Sequence, residues 1–367
     1  MDRPDDGRCA PMLASDSADR LAGRTPRRAT LADGRPILYF DDEGHDPGPP
    51  PADRRVLETR PHPAELRHDP LTDEPVLVAA HRQGRTFLPP SEACPLCPSR
   101  DGSLTEIPAA AYDVVVFENR FPSLPATALG SEPAGSCEVV CYAAEHTASF
   151  AVLDPRRLAT VMAAWVHRTD ELSRLPGVAY VLAFENRGEE IGVTLHHPHG
   201  QIYAYPYLPP RIARMVEVAA RADGCLGCIE LERELEGNRI IDQGEHAVAY
   251  VPHGARWPYE IHVLPRRHAS TLAELDAAER LAVVALEAEM LARLDRLFDR
   301  PAPYMAGWLT APVDAGLASR WHLRAQLISP QRDAGKLKYL AGSESLGGAF
   351  INDVRPEVAA ERLRHAR

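Results

Sequence analysis

Three histidines and a glutamine lie within one short segment, His196–Gln201, whose sequence is HHPHGQ. In an extended chain alternate side chains share a face, so His197, His199 and Gln201 can point at one site. A neutral imidazole can attack phosphorus, and a neighbouring amide can steady the charged oxygens of a phosphate. We expect Gly200 to let a ligand approach the backbone closely. The alternating block is more specific than a lone histidine, which would be typical of a solvated surface or an opportunistic metal site.

Two arginines stand well before this segment. Arg82 and Arg85 are separated by the flexible Gly84. Two guanidinium groups placed in this way can wrap around a phosphate, because each presents a planar fork of N–H donors. By themselves they would be interpreted as solvated side chains. Their interpretation as phosphate ligands depends on the rest of the pattern.

Four of the seven cysteines form two pairs with CxxC spacing, Cys94 with Cys97 and Cys225 with Cys228. In a cytosolic chain this spacing predicts metal ligation before disulfide formation. Each pair can offer two thiolates to one tetrahedral ion, and histidines from later strands can complete the set. The chain is therefore expected to bind metal through these cysteine pairs.

Composition excludes several classes of protein. The net charge of −11 argues against a nucleic-acid-binding surface. No apolar run approaches the length of a membrane span and the first residues lack the apolar core of a signal peptide, so we expect a cytoplasmic protein with no membrane partner. Residues 1–60 are rich in Pro, Asp, Arg and Gly. We expect this extension to be largely disordered, apart from a short edge strand at Pro36–Phe40.

The elements that must position these residues recur in the same order in both halves of the chain. Each half has a CxxC pair, then strands, a helix with an aspartate at its N-cap, and further strands that lead to a histidine-bearing block. In the second block, His322 aligns with His197 and Arg324 aligns with His199. Because a guanidinium cannot act as the nucleophile, we expect one active centre per chain.

Two long helices are predicted to pack on the sheet. The first follows Asp154 and Pro155, and the second follows Asp276 in a capping box. Cys137 and Cys141 lie in a predicted strand and are interpreted as core residues. The apolar stripes of the two helices comprise Leu158, Val161, Met162, Trp165 and Val166 in the first, and Leu281, Val284, Leu291 and Leu294 in the second.

The block His197–Gln201 (HPHGQ) resembles the active-site sequence of the galactose-1-phosphate uridylyltransferases, a branch of the histidine-triad superfamily. The resemblance runs from about Leu66 to the C-terminus. It implies an α+β fold of two tandem histidine-triad-like repeats, whose antiparallel sheets join into a half barrel with helices on one face. The repeats would span residues 61–210, with the catalytic block, and 211–367, with a C-terminal substrate loop.

The resemblance also implies the metal ligands. One set matches the zinc ligands of the family and leaves no open position for catalysis, so the ion would be structural. Internal symmetry predicts a second zinc set in the equivalent places. The first set is Cys94, Cys97, His146 and His197, and the second is Cys225, Cys228, His268 and His322.

A further metal of the family has no ligands in this chain. It needs a glutamate and three histidines, and this chain has Met215, Leu309, Arg324 and Gln326 at those positions. The resemblance is therefore to a divergent branch of the family, in which the symmetric zinc site takes the place of that metal.

Substrate contacts follow from the same resemblance. Lys338 and Glu344 match a loop that grips the sugar phosphate, often in the partner subunit's site, which implies a homodimer. Arg120 stands where most relatives have an acidic residue, so the contact with the ribose departs from the family pattern. The residues that match nucleotide contacts are Arg82, Arg85, Asn119, Arg120, Phe121, Asn186, Gly192 and Thr194.

The implied reaction is the exchange of UMP between UDP-glucose and galactose 1-phosphate. His199 would attack the α-phosphorus of UDP-glucose, glucose 1-phosphate would leave, and galactose 1-phosphate would take the uridylyl group to give UDP-galactose. Both sugar phosphates are already ionised, so no strong general base is needed. Gln201 would hold the non-bridging oxygens, and a main-chain carbonyl near His197 could fix the other nitrogen of His199.

Three alternatives stay open from the sequence. The same histidine could serve a phosphorylase or adenylyltransferase acting on another nucleotide sugar, such as ADP-glucose with phosphate as the acceptor. It could also serve hydrolysis of a nucleoside phosphate, although triad hydrolases carry a third histidine where this chain has Gln201. A zinc-stabilised nucleotide-binding protein without turnover is the third alternative.

Overall fold

A computed structural model describes residues 24–57, 64–84, 87–100, 102–124 and 135–367. Its main strands are β1 (Arg27–Thr30), β2 (Pro36–Phe40), β3 (Glu65–His68), β4 (Pro75–Val78), β5 (Val114–Glu118), β6 (Ser136–Cys141), β7 (Tyr180–Arg187), β8 (His199–Tyr205), β9 (Ile240–Gln243), β10 (Ala247–Tyr250), β11 (Tyr259–Pro265), β12 (Tyr304–Leu309), β13 (Arg324–Ser329), β14 (Gln331–Asp333) and β15 (Lys336–Leu337). The helices are α1 (Pro155–Ser173), α2 (Pro210–Ala220), α3 (Leu226–Leu235), α4 (Ala277–Leu297), α5 (Gly342–Gly347) and α6 (Pro356–His365).

Eleven of these strands form one antiparallel sheet in the order β1-β2-β5-β6-β8-β7-β12-β13-β11-β10-β9. The two halves meet where β7 pairs with β12, for example at Asn186 opposite Met305. Outward from this seam the order of elements is the same on both sides, so that β13 mirrors β8 and β11 mirrors β6. The predicted continuous sheet built from two repeats is confirmed. The sheet is open, with β1 and β9 at its edges.

The first sixty residues were expected to be largely disordered, and this expectation is wrong for residues 24–57. The strand at Pro36–Phe40 exists, but it is not an edge, because β1 pairs with its outer side. The polar residues that suggested disorder satisfy one another. Arg27 pairs with Asp41 at 2.6 Å, and the fully buried Arg35 pairs with Asp33 at 2.7 Å. Internal ion pairing thus lets a charged segment extend the sheet.

Helices α1 and α4 lie on one face of the sheet, as predicted. Asp154 caps α1 by accepting a hydrogen bond from the Arg157 amide at 3.0 Å, and Asp276 forms a capping box with Glu279. The predicted stripe of α1 is buried throughout, but Leu281 of α4 is 40% exposed. The other three predicted positions of α4 are buried. The buried face of α4 includes Val283, Val284, Glu287, Met290, Leu291 and Leu294.

The opposite face of the sheet is also partly covered by helices, which the sequence did not indicate. Leu231 of α3 packs on Val248 and Leu264, and Ile212 of α2 packs on Tyr180. Next to β5 and β6 this face carries a loop instead of a helix, and the cavity described below opens there. None of the helices in the described part of the chain combines the length and the apolar character that a membrane span needs.

Candidate active site and metal clusters

The predicted ligands of the first half converge in space. Side-chain donor atoms of Cys94, Cys97, His146 and His197 all lie within 4.8 Å of one another. The Cys97 Sγ lies 3.4 Å from Nδ1 of His146 and 3.5 Å from Nδ1 of His197. Zinc–sulfur and zinc–nitrogen bonds at a tetrahedral angle give an S···N edge of about 3.5 Å. The donor set therefore fits a four-coordinate metal ion of the zinc type.

The second set, Cys225, Cys228, His268 and His322, has the same geometry. The Cys228 Sγ lies 3.3 Å from Nδ1 of each histidine. The two imidazole rings meet at 5.6 Å and 69°, against 5.7 Å and 67° in the first set. A side chain at Gly227 would place its Cβ 2.5 Å from the Cβ of His322, so the turn between Cys225 and Cys228 requires glycine at this position.

The far nitrogens of the buried ligand histidines are held by backbone carbonyls. His197 Nε2 lies 2.8 Å from both the Ala143 carbonyl and the Tyr112 hydroxyl, and burial lowers the pKa of His197 to about 4. His322 Nε2 lies 2.9 Å from the Pro265 carbonyl. A ring that donates from Nε2 to a carbonyl is neutral and presents a lone pair at Nδ1, which is the state that a metal ligand requires.

A third group of metal-type ligands, Asp41, His45 and Asp113, is committed to ion pairs instead. Asp41 binds Arg27, and Asp113 binds Arg157 at 2.7 Å and His45 at 2.5 Å. These contacts already neutralise the carboxylates. The group is therefore explained by the packing of the N-terminal strands.

His199 begins β8 and is oriented by the chain just before it. Its Nδ1 lies 2.7 Å from the carbonyl oxygen of His197. Because a carbonyl can only accept, Nδ1 carries the hydrogen and Nε2 keeps its lone pair. Burial lowers the pKa of His199, which favours the neutral ring. The predicted metal ligand His197 thus also fixes the tautomer of the histidine two residues later.

His199 and Gln201 line a cavity of about 760 Å³ on the sheet face opposite α1 and α4. The floor of the cavity is a row of cross-strand neighbours, in which Phe184 pairs with Gln201, Gln201 with Val139, and Val139 with Phe117. The row crosses β7, β8, β6 and β5. An elongated ligand can therefore lie across the strands with His199 beside it.

Gln201 is oriented by a neighbouring hydrogen-bond chain that the sequence did not reveal. Arg82 Nη1 contacts the hydroxyls of Ser123 and Tyr203, the latter at 3.3 Å, and the Tyr203 hydroxyl lies 3.1 Å from Gln201 Oε1. Arg82 can only donate, so the Tyr203 hydroxyl accepts from it and donates to Gln201. The amide NH₂ of Gln201 is then available to an anion in the cavity.

Most of the predicted nucleotide contacts come together around this cavity. Arg85 lies outside the described residues. Gly192 has φ +81°, a left-handed conformation that glycine adopts freely, at the end of the turn before Thr194. The predicted residues that line the cavity are Arg82, Asn119, Arg120, Phe121, Asn186, Gly192 and Thr194.

Lys338 and Glu344 do not line this cavity. Lys338 Nζ lies 2.7 Å from Glu344 Oε1, both side chains are 4% exposed, and the ammonium also donates to the Arg256 carbonyl at 3.0 Å. The hydrogen bond from Lys338 lowers the pKa of Glu344 to about 2. Within one chain these two residues bind each other, away from His199.

Gly200 has a different role from the one expected. It lies on the helix side of β8, where a Cβ would collide with the Tyr142 hydroxyl and stand 2.8 Å from the Phe184 carbonyl. Glycine is needed here for packing behind the strand. Its neighbours His199 and Gln201 face the cavity, in keeping with the alternation of side chains along a strand.

Several residues around the cavity were not identified from the sequence. The Tyr112 hydroxyl reaches His197 from a distant part of the chain, whereas the Tyr203 hydroxyl reaches Gln201 from two residues further along β8. Arg55 and Glu106 also line the cavity, although Arg55 lies in the segment expected to be disordered. Alternation along β8 places Tyr203 on the same face as His199 and Gln201, so the strand pattern could have identified it. No local spacing relates Tyr112, Arg55 or Glu106 to the HPHGQ block, so only the folded chain could reveal them.

The position equivalent to His199 in the second half holds Arg324, whose guanidinium lies 3.5 Å from Glu230. Gln326, the counterpart of Gln201, donates its amide to Glu260, which also lies 3.3 Å from His262. Met215 and Leu309 sit in an apolar cluster. The residues at the family's further metal position are therefore packed and paired, and they offer no ligand set.

Comparison with known proteins agrees with this geometry. Residues 57–209 match the family described as galactose-1-phosphate uridyl transferase, N-terminal domain, and residues 226–367 match its C-terminal domain. The galactose-1-phosphate uridylyltransferase of Streptomyces lividans is 44% identical, over 91% of this chain and 96% of the relative. That of Thermotoga maritima is 40% identical, over 82% and 98%. A solved uridylyltransferase structure is 32% identical and superposes with a TM-score of 0.73, over 82% of this chain and 98% of that one.

Proposed function

The chain belongs to the galactose-1-phosphate uridylyltransferase family, and we propose that it exchanges UMP between UDP-glucose and galactose 1-phosphate through a covalent uridylyl-His199 intermediate. One observation carries the covalent step. The Nδ1 hydrogen of His199 is held by the His197 carbonyl at 2.7 Å, and the ring borders a cavity large enough for a nucleotide sugar. The Nε2 lone pair is therefore the free nucleophile.

In the first half-reaction His199 Nε2 bonds to the α-phosphorus of UDP-glucose. The bond from that phosphorus to the bridging oxygen breaks, and glucose 1-phosphate leaves with the electron pair. The phosphorylated ring is cationic, and the His197 carbonyl stabilises it by accepting from Nδ1–H. A phosphate oxygen of galactose 1-phosphate then attacks the same phosphorus, His199 leaves as a neutral ring, and UDP-galactose forms.

The non-bridging oxygens of the transferred phosphate are bound by donors on the cavity wall. Gln201 presents its amide because Tyr203 engages its carbonyl oxygen, and Arg82 and Thr194 border the same space. These donors are held in place before the substrate arrives, so little reorganisation is needed as charge shifts in the transition state. Asn119 and Phe121 border the part of the cavity assigned to the uridine.

Both Cys/His clusters are proposed to hold zinc. Four protein ligands fill all positions of a tetrahedral ion, so the metal supplies a structural cross-link and takes no part in the transfer. In the first half this link ties the loop at Cys94–Cys97 to His197, whose carbonyl orients His199. Loss of the first cluster would therefore disturb the nucleophile directly.

A homodimer is proposed to complete the sugar-phosphate site. The C-terminal segment carries exposed apolar side chains, including Tyr339 at 75% and Leu346 at 93% exposure, next to the Lys338–Glu344 pair. Exposed apolar groups clustered in one segment favour burial against another chain. Lys338 and Glu344 bind each other within one chain, so their contact with the hexose 1-phosphate at the partner's cavity would require this pair to open in the dimer.

The covalent intermediate is tested by intact-protein mass spectrometry after incubation with UDP-glucose alone. We expect a uridylyl adduct on the wild type that disappears on adding galactose 1-phosphate and never forms on His199→Gly. ADP-glucose is incubated in parallel and should give no comparable adduct. An adduct that persists in His199→Gly, or one that forms only from ADP-glucose, would refute the assignment.

A further inference from the structure

The N-terminal segment forms one wall of the substrate cavity. We define the N-terminal strap as residues Asp53–Leu57. Its residues Arg55, Val56 and Leu57 line the cavity, and Val56 is fully exposed there. Asp53 anchors the strap by accepting a hydrogen bond from the Ala32 amide at 2.9 Å, next to the first strands. A segment outside both repeats therefore contributes to the pocket.

The strap stands at the nucleoside end of the cavity. His199 and Gln201 lie on β8, whereas Phe117 lies on β5, two strands away along the floor of the cavity. Neighbouring strands are about 4.8 Å apart, so the β5 end is about 10 Å from the nucleophile. With the α-phosphorus at His199, the ribose and the base are the parts of a nucleotide that would extend to β5. Asn119 and Arg120 follow that strand and border the same end.

One carboxylate is unusual in this pocket. Among the described residues that line the cavity, Glu106 is the only acid, and Arg55, Arg82 and Arg120 are cationic. An anion near the phosphates of a nucleotide would oppose binding, so Glu106 must face a neutral part of the substrate. Hydroxyl groups are the neutral donors that a carboxylate binds well.

Glu106 is held firmly and keeps spare acceptor capacity. Arg55 Nη1 donates to its Oε1 at 2.6 Å, and the buried Arg35 donates to its Oε2 at 2.5 Å. Arg120 Nη1 is 3.8 Å from Oε1, beyond hydrogen-bond distance. A carboxylate has about four acceptor positions, of which these donors fill two. The side chain is 12% exposed, so a ligand in the cavity would be its remaining partner.

We propose that Glu106 accepts hydrogen bonds from the ribose hydroxyls of the nucleotide, and that Arg55 of the strap is the positioning residue that holds it. Neighbouring groups cannot replace it, because Arg120 has no acceptor and Asn119 Oδ1 already accepts from the Phe121 amide at 2.8 Å. The inference rests on the proposed function and adds a basis for discrimination between ribonucleotides and deoxyribonucleotides at the same cavity.

The test compares UDP-glucose with its 2′-deoxy and 3′-deoxy analogues in the formation of the His199 adduct. The wild type should react less efficiently with at least one analogue, by about 10- to 100-fold, the range for a lost hydrogen bond to a charged group. The efficiency of Glu106→Gln with UDP-glucose should fall by a similar factor. Its efficiency with that analogue should stay close to the wild-type value. The ratio of the two substrates is measured within one protein, so partial unfolding cancels.

Arg55 is tested with a matched control on the same strap. Arg55→Ala should reduce the discrimination by raising KM for UDP-glucose with little change in kcat, and Arg55→Lys should restore part of it. Arg54→Ala, at the exposed neighbour, should leave the ratio unchanged. A wild type that reacts equally with all three substrates, or Glu106→Gln with the wild-type ratio, would overturn the inference while leaving the covalent mechanism intact. A wild type without any adduct would instead refute the proposed function.

Discussion

The two halves of the molecule present nearly identical Cys/His clusters and very different surroundings. Each cluster combines a CxxC pair with two histidines, at the same ring angles and the same Sγ···Nδ1 separations within 0.2 Å. Two residues after the buried ligand histidine, the first half has His199 and the second has Arg324. His199 borders a cavity, whereas Arg324 faces Glu230 at 3.5 Å.

This difference distinguishes the features that both halves share from those found only beside His199. The Cys/His clusters and the strand that follows each of them are common to both halves. In the proposed mechanism, what makes one half reactive is the side chain at a single position and the open space beside it. In the second half Gln326 and Glu260 are bonded to each other inside the protein instead of facing an open cavity.

The comparison is tested most severely by exchanging the two equivalent side chains for alanine. His199→Ala removes the nucleophile and should lower the UMP exchange rate by about four orders of magnitude or more. Arg324→Ala removes its counterpart and should leave the rate within about threefold, since surface-lying ion pairs contribute little. Exchange is measured by following UDP-galactose formation from UDP-glucose and galactose 1-phosphate.

Both variants are also examined for adduct formation and for thermal unfolding. Equal loss of activity in the two alanine variants, with both proteins folded, would contradict the assignment of one active centre per chain. An Arg324→His protein that gained a second adduct would sharpen the comparison further. It would show that the second half lacks only the nucleophile.

The two metal clusters should differ in their effect on catalysis more than in their effect on stability. Cys97→Ser and Cys228→Ser should each remove about one equivalent of bound zinc and lower Tm. Only Cys97→Ser should also reduce exchange, by about 10- to 100-fold, as is typical when groups that support a site are removed. The reason is that its cluster fixes the His197 carbonyl, and its loop lines the cavity through Cys94 and Leu96.

Metal content is measured by mass spectrometry of the native protein, alongside Tm and exchange rate. Cys137→Ser, at a buried cysteine outside both clusters, is the matched control and should retain all of its zinc. Equal loss of activity in Cys97→Ser and Cys228→Ser would mean that both clusters act only through global stability.

A smaller effect is expected from the hydroxyl that orients Gln201. Tyr203→Phe leaves the Gln201 amide free to rotate and should reduce kcat by about tenfold, the scale of one misplaced hydrogen bond at a reacting phosphate. Tyr205→Phe removes a hydroxyl two residues along the same strand and should have little effect. An increase in KM with no change in kcat would instead mean that Tyr203 contributes to binding of the substrate in its ground state.

The sequence was sufficient for the parts of the molecule that follow local rules. The HPHGQ block predicted a histidine and an amide on one face of a strand, the CxxC spacing predicted two ligand clusters, and the capping aspartates predicted where α1 and α4 begin. Each of these depends on residues within a few positions of one another. The internal repeat then related the second cluster to the first.

Contacts between distant segments could not be predicted in this way. Residues 24–57 look unstructured by composition, yet the charges that suggested disorder form ion pairs such as Arg27 with Asp41. Tyr112 reaches His197, and Glu106 reaches the cavity, from positions that share no spacing with His199. Gly200 shows the same limit, since its need for a hydrogen side chain comes from Tyr142 packed behind the strand.

The seam between the two halves contains a pair of buried carboxyl groups. Glu185 of β7 accepts from the Tyr304 hydroxyl at 2.8 Å, and Glu287 of α4 accepts from the Trp308 indole at 3.1 Å. Burial raises the pKa of Glu185 to about 7 and that of Glu287 to about 8, the latter helped by repulsion from Glu185. Both groups are therefore largely protonated when the folded protein is at mildly acid pH.

This pair should make the free energy of unfolding depend on pH, with lower stability at higher pH. The folded pKa of Glu287 lies above its ordinary value of 4.5, so the protonated group favours the folded state at low pH, and this contribution is lost as pH rises from about 4.5 to about 8. One pKa unit corresponds to about 1.4 kcal/mol, so the change has an upper bound of about 5 kcal/mol. Urea unfolding between pH 5 and 8 should show the free energy of unfolding of the wild type falling relative to that of Glu287→Gln. Glu289→Gln, on the outer face of the same helix, should keep the wild-type slope, and an unchanged slope in Glu287→Gln would mean that Glu287 does not titrate in this range.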